Sequence, residues 1–203
     1  MARELQHRVI GVLERSLGRR VAQGPTPAWL LRPGREEAGE MWRTLRLIYR
    51  KLTGGLELPD EAPLREWREV DGIIGLRRGP ARIVEVDESQ HFNEYRAITL
   101  AAYPKDVRLG FPRDDWLSES KRQRATRGGG WAKPKPPLFP MAGGRHRQRA
   151  FRDALADLLP TQHGFAPTLR IADFEVESWI WDRGAAARLG RLIEERLLDG
   201  GPQ

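Results

Sequence analysis

The chain has 203 residues, and 35 lysines and arginines against 28 acids give it a formal net charge of +7; that length buries one substantial core but would cramp two. It has no cysteine, which excludes disulfide frameworks and thiolate metal sites and leaves oxygen or imidazole to hold any metal, the chemistry of hard divalent cations. No apolar run approaches a membrane span, so the chain reads as soluble and cytoplasmic with no membrane partner. Its cations, nearly all arginine, suit a polyanion, or form a merely solvated basic surface.

The first predicted element is an amphipathic helix over residues 3–17, where Leu5, Val9, Ile10, Leu13 and Leu17 recur at helical spacing and Gly18 can stop it. RRVAQGPTPAWLLRPG, with Pro25, Pro27 and Pro33, reads as a connector. In REEAGEMWRTLRLIYRKLTGG, Met41, Trp42, Leu45, Ile48, Tyr49 and Leu52 share one stripe, with acids in the first turn, cations in the last and Gly54 as the stop. WREVDGIIGLRRGPARIVEVDES changes period, and two β-branched runs around RRGP predict a hairpin.

HFNEYRAITLAAYP predicts a helix from Asn93 to Ala102, and KDVRLGF a short strand or extended connection. Residues 118–149 are basic and rich in Gly and Pro, with little to bury apart from Trp131 and LFPM, and read as an insertion or flexible loop. A helix over RQRAFRDALADLLP, with Phe151, Leu155, Leu158 and Leu159 inward, a strand in PTLRIADFEVESWIW, and a helix over AAARLGRLIEERLL with Leu189, Leu192, Ile193 and Leu197 inward complete the chain. The order predicts one α/β domain over residues 1–203, a mixed central sheet flanked by helices.

The hairpin carries the chemistry. Alternate strand side chains share a face, so Glu85 and Asp87 point one way and Val84 and Val86 the other. If Gly79 occupies the left-handed position of a three-residue loop, Leu76 faces Pro80, Asp71 pairs with Glu85 and Glu69 with Asp87. Four carboxylates on one face repel, and they relieve this by taking up protons, bending into solvent or holding a cation. An edge hairpin with a solvated acidic face is the competing reading; the apolar residues bracketing IVEVDES favour an interior strand. His91, just past the strand end, can relay a proton or orient a water, or stand as a surface residue. Gln90 can position phosphate or nucleophile, and Arg96 can neutralise a phosphate or pair with Glu94 or an acid of the cluster.

VDG, then IVEVDESQH, then an R-x-x-x-L helix resembles the PD-(D/E)XK nuclease superfamily, particularly its very-short-patch-repair-endonuclease-like branch with E-[LV]-D-G-x-x-H. EEAGEMWRTLR resembles that branch's E-x-x-x-W-x-x-L-R helix, so the likeness covers roughly residues 35–104. It implies a three-layer-like restriction-endonuclease core with Asp71 as the hairpin aspartate, Glu85 as the first strand acid, and Asp87 and His91 as the D and H of the branch pattern. It further implies catalysis by Asp71, Glu85, Asp87 and His91, with the three acids binding Mg²⁺ or Mn²⁺, and Glu37, Glu40, Glu69, Gln90 and Arg96 as accessory residues. Asp87 stands where the superfamily has lysine, leaving that cation's task to metal, His91 or an arginine. Glu88 replaces the branch's glycine.

The expected function is metal-dependent hydrolysis of phosphodiesters, in DNA of repair or restriction type. Lys121, Arg122, Arg124, Arg127, Lys133, Lys135, Arg145, Arg147 and Arg149 would grip nucleic acid, with Trp131 and Phe139 available to stack on bases. Two alternatives stand beside it: a catalytically inactive nuclease-fold nucleic-acid-binding module, and a structural or interaction protein dimerising through its terminal helices. A homodimer or a targeting partner protein fits either enzyme or module.

Overall fold

The structure is a computed structural model that describes residues 2–31, 33–63, 69–75, 79–123 and 132–199. Its elements in chain order are α1 (Ala2–Leu17), β1 (Val21–Gln23), α2 (Ala28–Leu31), α3 (Arg35–Ala38), α4 (Trp42–Thr53), β2 (Gly72–Ile74), β3 (Arg82–Asp87), α5 (Glu94–Ala101), α6 (Arg113–Gln123), α7 (Gly144–Leu158), β4 (Ala166–Ala172), α8 (Asp173–Val176) and α9 (Ala185–Asp199). The strands form one sheet in the order β1-β2-β3-β4. The first three neighbours are antiparallel, and β4 joins β3 in parallel, a pairing that requires the long helical crossover through α5, α6 and α7.

Helices cover both faces, as the period-two pattern of the strands demands. On one face Val84, Val86, Leu169 and Ile171 pack with Val9, Ile10 and Leu13 of α1 and Leu189 and Ile193 of α9. On the other, Ile83 joins a second core built from Leu45, Ile48 and Leu52 of α4, Leu100 of α5, and Phe151, Leu155 and Leu158 of α7. The expected α/β architecture with a mixed sheet between helices is therefore the one observed. The side chain of Leu197 lies outside the described residues.

Four local expectations change. The strand expected over PTLRIADFEVESWIW ends at Ala172, and Asp173–Val176 forms helix α8. Val21–Gln23, read as connector, forms edge strand β1; three residues are too few to carry an alternating signal. The helix expected across residues 35–53 is split at Gly39, whose φ of +46° an L side chain rarely adopts. Its acidic first turn becomes the separate helix α3 and a 3₁₀ turn. The basic insertion is ordered over much of its length. α6 runs to Gln123 around a fully buried Trp116, Lys135 and Phe139 exchange backbone hydrogen bonds of 2.6 and 2.8 Å, and α7 starts at Gly144. Leu138 and Phe139 are buried, so Phe139 is a core residue packed against Tyr49 and Phe151 and is not placed to stack on bases.

A candidate active site at the ends of the central strands

The β2–β3 register is Gly72↔Val84, Ile73↔Ile83 and Ile74↔Arg82, and one further step would set Asp71 opposite Glu85. The ladder stops there. Val70 turns away, its N–H donating to Pro25 O at 3.0 Å, while Asp71 Oδ2 accepts the Val86 N–H at 2.8 Å. A carboxylate thus takes the backbone partner that a continuing strand would have supplied. Glu69 is exposed beyond this parting, and β3 passes its last residue, Asp87, to Ala172 of β4. The four-carboxylate face is not assembled, because β2 ends before Glu69 can join it.

Glu85 and Asp87 share the face turned to α5 and α7, with Arg170 of β4 in register with Glu85. All three are buried. Arg170 Nη1 donates to Asp87 Oδ1 at 2.6 Å and its Nε to Asp157 Oδ1 at 2.6 Å, while Nη2 reaches the Asp153 backbone carbonyl at 3.3 Å. Asp157 also accepts from Arg96 Nη2 at 2.8 Å and from the Tyr103 hydroxyl at 2.7 Å. Trp116 Nε1 donates to the second oxygen of Asp87 at 2.6 Å. Burial alone would push the Asp87 carboxyl upward, but Arg170 and His91 outweigh it and hold it below the ordinary carboxylate range. Burial would lower Arg170, and Asp157, Asp87, Asp153 and Glu85 together hold it well above its ordinary value. Four buried carboxylates thus act on Arg170, with Arg96 the other guanidinium inside the cluster.

His91 stands at the edge of this cluster, on a 3₁₀ turn, Ser89–His91, that caps the end of β3. Its Nδ1 lies 3.2 Å from Asp153 Oδ2 and 3.4 Å from Asp87 Oδ1. The side chain is 14% exposed, and among the described residues the imidazole's polar contacts are all at Nδ1. A carboxylate on one ring nitrogen fixes the orientation of the ring and leaves Nε2 to face the site, the arrangement of a histidine that takes or gives a proton.

Around His91 lie half-buried acids. Burial raises Glu88, which is lowered by His91 and Arg149 and raised further by Asp71 and Asp173. Burial also raises Asp173, against the backbone N–H groups of Phe174 and Ser89 that its carboxylate accepts. Asp71, His91, Arg149 and Asp173 therefore each act electrostatically on Glu88 near the C-terminal ends of β3 and β4, where open α/β sheets place their ligands. Phe174, 42% exposed, stands beside Asp173 with its ring against Phe92 and Trp116 at 5.4 and 5.3 Å.

The remaining expected residues divide. Gln90 Nε2 donates to Glu88 Oε2 at 3.0 Å, so it belongs to the site. Arg96 is fully buried against Tyr103 and Asp157; it pairs with an acid of the cluster and offers nothing to a phosphate. Glu37 Oε2 accepts the Gly34 N–H at 2.9 Å, closing the first turn of α3, and Glu40 is exposed on the following 3₁₀ turn. Lys121 and Lys133 are exposed, Arg122 pairs with Glu119 at 2.5 Å, and Lys135 lies on the short bridge to Phe139. Arg145 donates to Gln148 at 2.8 Å, and Arg147 stacks over Tyr95 at 4.4 Å. Arg124, Arg127 and Trp131 lie outside the described residues. The residues that sequence reasoning missed are Asp153, Asp173, Phe174 and Arg170; Glu88, noted there only as an acid in place of the branch's glycine, turns out to sit at the site's centre. RIADFEV held the signal: Arg170 and Asp173 flank the end of a strand, one pointing into the sheet's polar face and the other emerging beyond it.

Among the described residues no three His, Asp or Glu side chains are gathered so as to hold a metal ion. Magnesium ordinarily needs only one or two carboxylates, completing its shell with water and substrate oxygens. Asp71 and Glu88 are half-buried hard oxygen donors that act electrostatically on each other. Glu85 and Asp87 are enclosed behind them and counter the charge of Arg170. No helix among the described residues is long and apolar enough to cross a membrane.

A family model described as a family of unknown function, DUF7255, matches residues 48–194, a span that takes in the second half of α4, the whole β2–β3–β4 region and most of α9. No curated protein matches the chain, and no solved structure does.

Proposed function

The chain belongs to the DUF7255 family of unknown function, and we propose that it hydrolyses phosphodiesters of nucleic acid, DNA in particular, at the ends of β3 and β4. The observation that carries this reading is His91, its Nδ1 held between Asp87 and Asp153 beside the half-buried acids Asp71, Glu88 and Asp173. His91 accepts the proton of the attacking water at Nε2, while Asp87 and Asp153 orient the ring and offset the charge it gains. Asp71 and Glu88 would hold Mg²⁺ or Mn²⁺, which when bound polarises a phosphoryl oxygen and makes a bound water more acidic.

Arg149, which acts electrostatically on Glu88, binds phosphate at the site's margin, and the neighbouring cations of α7 extend the track. Phe174 offers an exposed ring on which a base can stack. The mixed sheet between two helical layers is consistent with the restriction-endonuclease core that the sequence resemblance implies. Where that superfamily carries a lysine, Asp87 instead receives Arg170 from the neighbouring strand, which supplies a cation to the fold but, being fully buried, not to the substrate.

A second reading has its own support. Both oxygens of Asp87 are engaged, by Arg170 and by Trp116, as they would be in a nuclease-like fold kept only to bind nucleic acid. Incubation with single-stranded, duplex and mismatched DNA, and with RNA, separates the two in the presence of Mg²⁺ or Mn²⁺. Cleavage that requires the cation and is lost in Asp71→Ala supports hydrolysis; retention of all substrates intact, with binding, supports the module.

A further inference from the structure

Away from the strand ends, a cavity of about 400 Å³ opens between the loop after α5, the start of α6 and the inner side of α9. Three cations line it: Lys105, Arg113 and Arg196. Lys105 is exposed and Arg113 half-exposed. Arg196 is 7% exposed and is held from below, its Nη1 donating to the Arg170 carbonyl and its Nη2 to Glu175, while its Nε has no hydrogen-bond partner. A buried guanidinium N–H left unmatched is costly, and here it belongs to a side chain on the cavity wall. The 11-residue helix α6 also begins at this wall; the Pro112 carbonyl already accepts the N–H groups of Asp115 and Trp116, which leaves those of Arg113 and Asp114 without intrahelical acceptors to attract an anion. Two acids oppose this in the same turn: Asp114, on the cavity wall with its side chain 88% exposed and 3.7 Å from Arg113 Nε, and the exposed Asp115. The rest of the wall is apolar: Val107, Leu109 and Phe111.

We propose that this cavity is a phosphate-binding site for a phosphomonoester whose organic part, a nucleoside being of the right size and character, packs against the partly exposed Val107 and Leu109. Lys105 and Arg113 on the wall, with Arg196 behind them already paired to Glu175, favour a doubly charged group over a carboxylate. The apolar wall and a volume in the range of small-ligand sites leave room for more than the phosphate alone. The site is separate from the strand-end acids and does not depend on hydrolysis there. Its phosphate belongs either to a free mononucleotide or to the 5′ end of a nucleic acid.

Calorimetric titration in metal-free buffer tests it, with inorganic phosphate, adenosine monophosphate, and one oligonucleotide in 5′-phosphorylated and 5′-hydroxyl forms. The expected result is saturable binding of the mononucleotide, tighter than inorganic phosphate, weakened tenfold or more in Lys105→Ala and in Arg113→Ala. Both positions are solvent-accessible, so neither change should unfold the protein. Binding should be unaltered in Lys51→Ala, an exposed cation on α4, and in His91→Ala, which separates this site from the strand-end acids. A 5′-phosphorylated oligonucleotide that binds through Lys105 more tightly than its 5′-hydroxyl form identifies the nucleic-acid end as the source. Preference for the mononucleotide identifies the free nucleotide. Absence of saturable binding by every phosphate probe, or affinity unchanged in both cavity variants, overturns the proposal.

Discussion

Arg170 and Asp87 face each other across a parallel strand pair at 2.6 Å, both with side chains wholly removed from solvent. This pair ties β4 to the end of β3 and, through Asp87, to His91. Burying two charges is expensive, and their attraction compensates only while both partners remain. Asp87→Ala should therefore cost about 3 to 5 kcal/mol of folding stability, the usual penalty for leaving a buried charge without its partner. Urea unfolding measures it, and a loss below about 1 kcal/mol would mean that water reaches Arg170 in solution.

The acids should respond to pH in opposite senses. Asp87 is held below its ordinary value of 3.8, so the unfolded chain binds its proton more readily than the native one. Its stabilising contribution is present above that value and is lost as pH falls through the lower native one. Glu88 is raised above its ordinary 4.5, so the native state holds the proton more tightly, and acidification through the raised native value relieves a cost. Glu88→Gln should consequently be more stable than the wild type at neutral pH, with an advantage that shrinks as pH falls towards 4.5. Thermal melts of both proteins across pH 4 to 8 give the comparison; a variant less stable at neutral pH would contradict it.

A cation held by Asp71 and Glu88 must stabilise the native state by mass action. The melting temperature should rise saturably with Mg²⁺ in the wild type and stay flat in Asp71→Asn. An equal rise in both would place the ion elsewhere.

Asn93 holds the start of α5, its Oδ1 accepting the N–H groups of Tyr95 and Arg96 at 3.0 and 3.2 Å. Because Arg96 enters the buried cluster from that first turn, loss of the cap should be felt there. Asn93→Ala should cost about 1 kcal/mol, the usual worth of an N-cap, and lower the protection of the α5 amides in hydrogen exchange.

Much of this was legible in the chain because local chemistry declared it. The alternation in RIVEVD fixed which side chains share a face, and the loop around Gly79 implied the register that β2 and β3 adopt. Asn93 announced the start of α5. What escaped depends on partners distant in sequence. Arg170 meets Asp87 from 83 residues away, and no spacing rule connects them. Asp153 approaches His91 from the middle of α7, where an acid reads as an ordinary polar position. The parting of β2 from β3 at Asp71 hides because the competing partner, Pro25, lies in a stretch too short and proline-rich to read as strand. Residues 132–143 looked like solvent-exposed loop because Gly and Pro are as frequent as apolar residues there, yet two buried side chains, Leu138 and Phe139, anchor the segment.

The most direct measurement is the single-turnover rate of DNA cleavage with Mg²⁺ for the wild type and for His91→Ala. The account predicts a cation-dependent rate that falls by roughly 10² to 10⁴ in the variant, the range general acid–base groups contribute, with unchanged DNA affinity and partial recovery on adding imidazole. Equal rates in the two proteins, or no cleavage by the wild type across the DNA substrates with either Mg²⁺ or Mn²⁺, would contradict it.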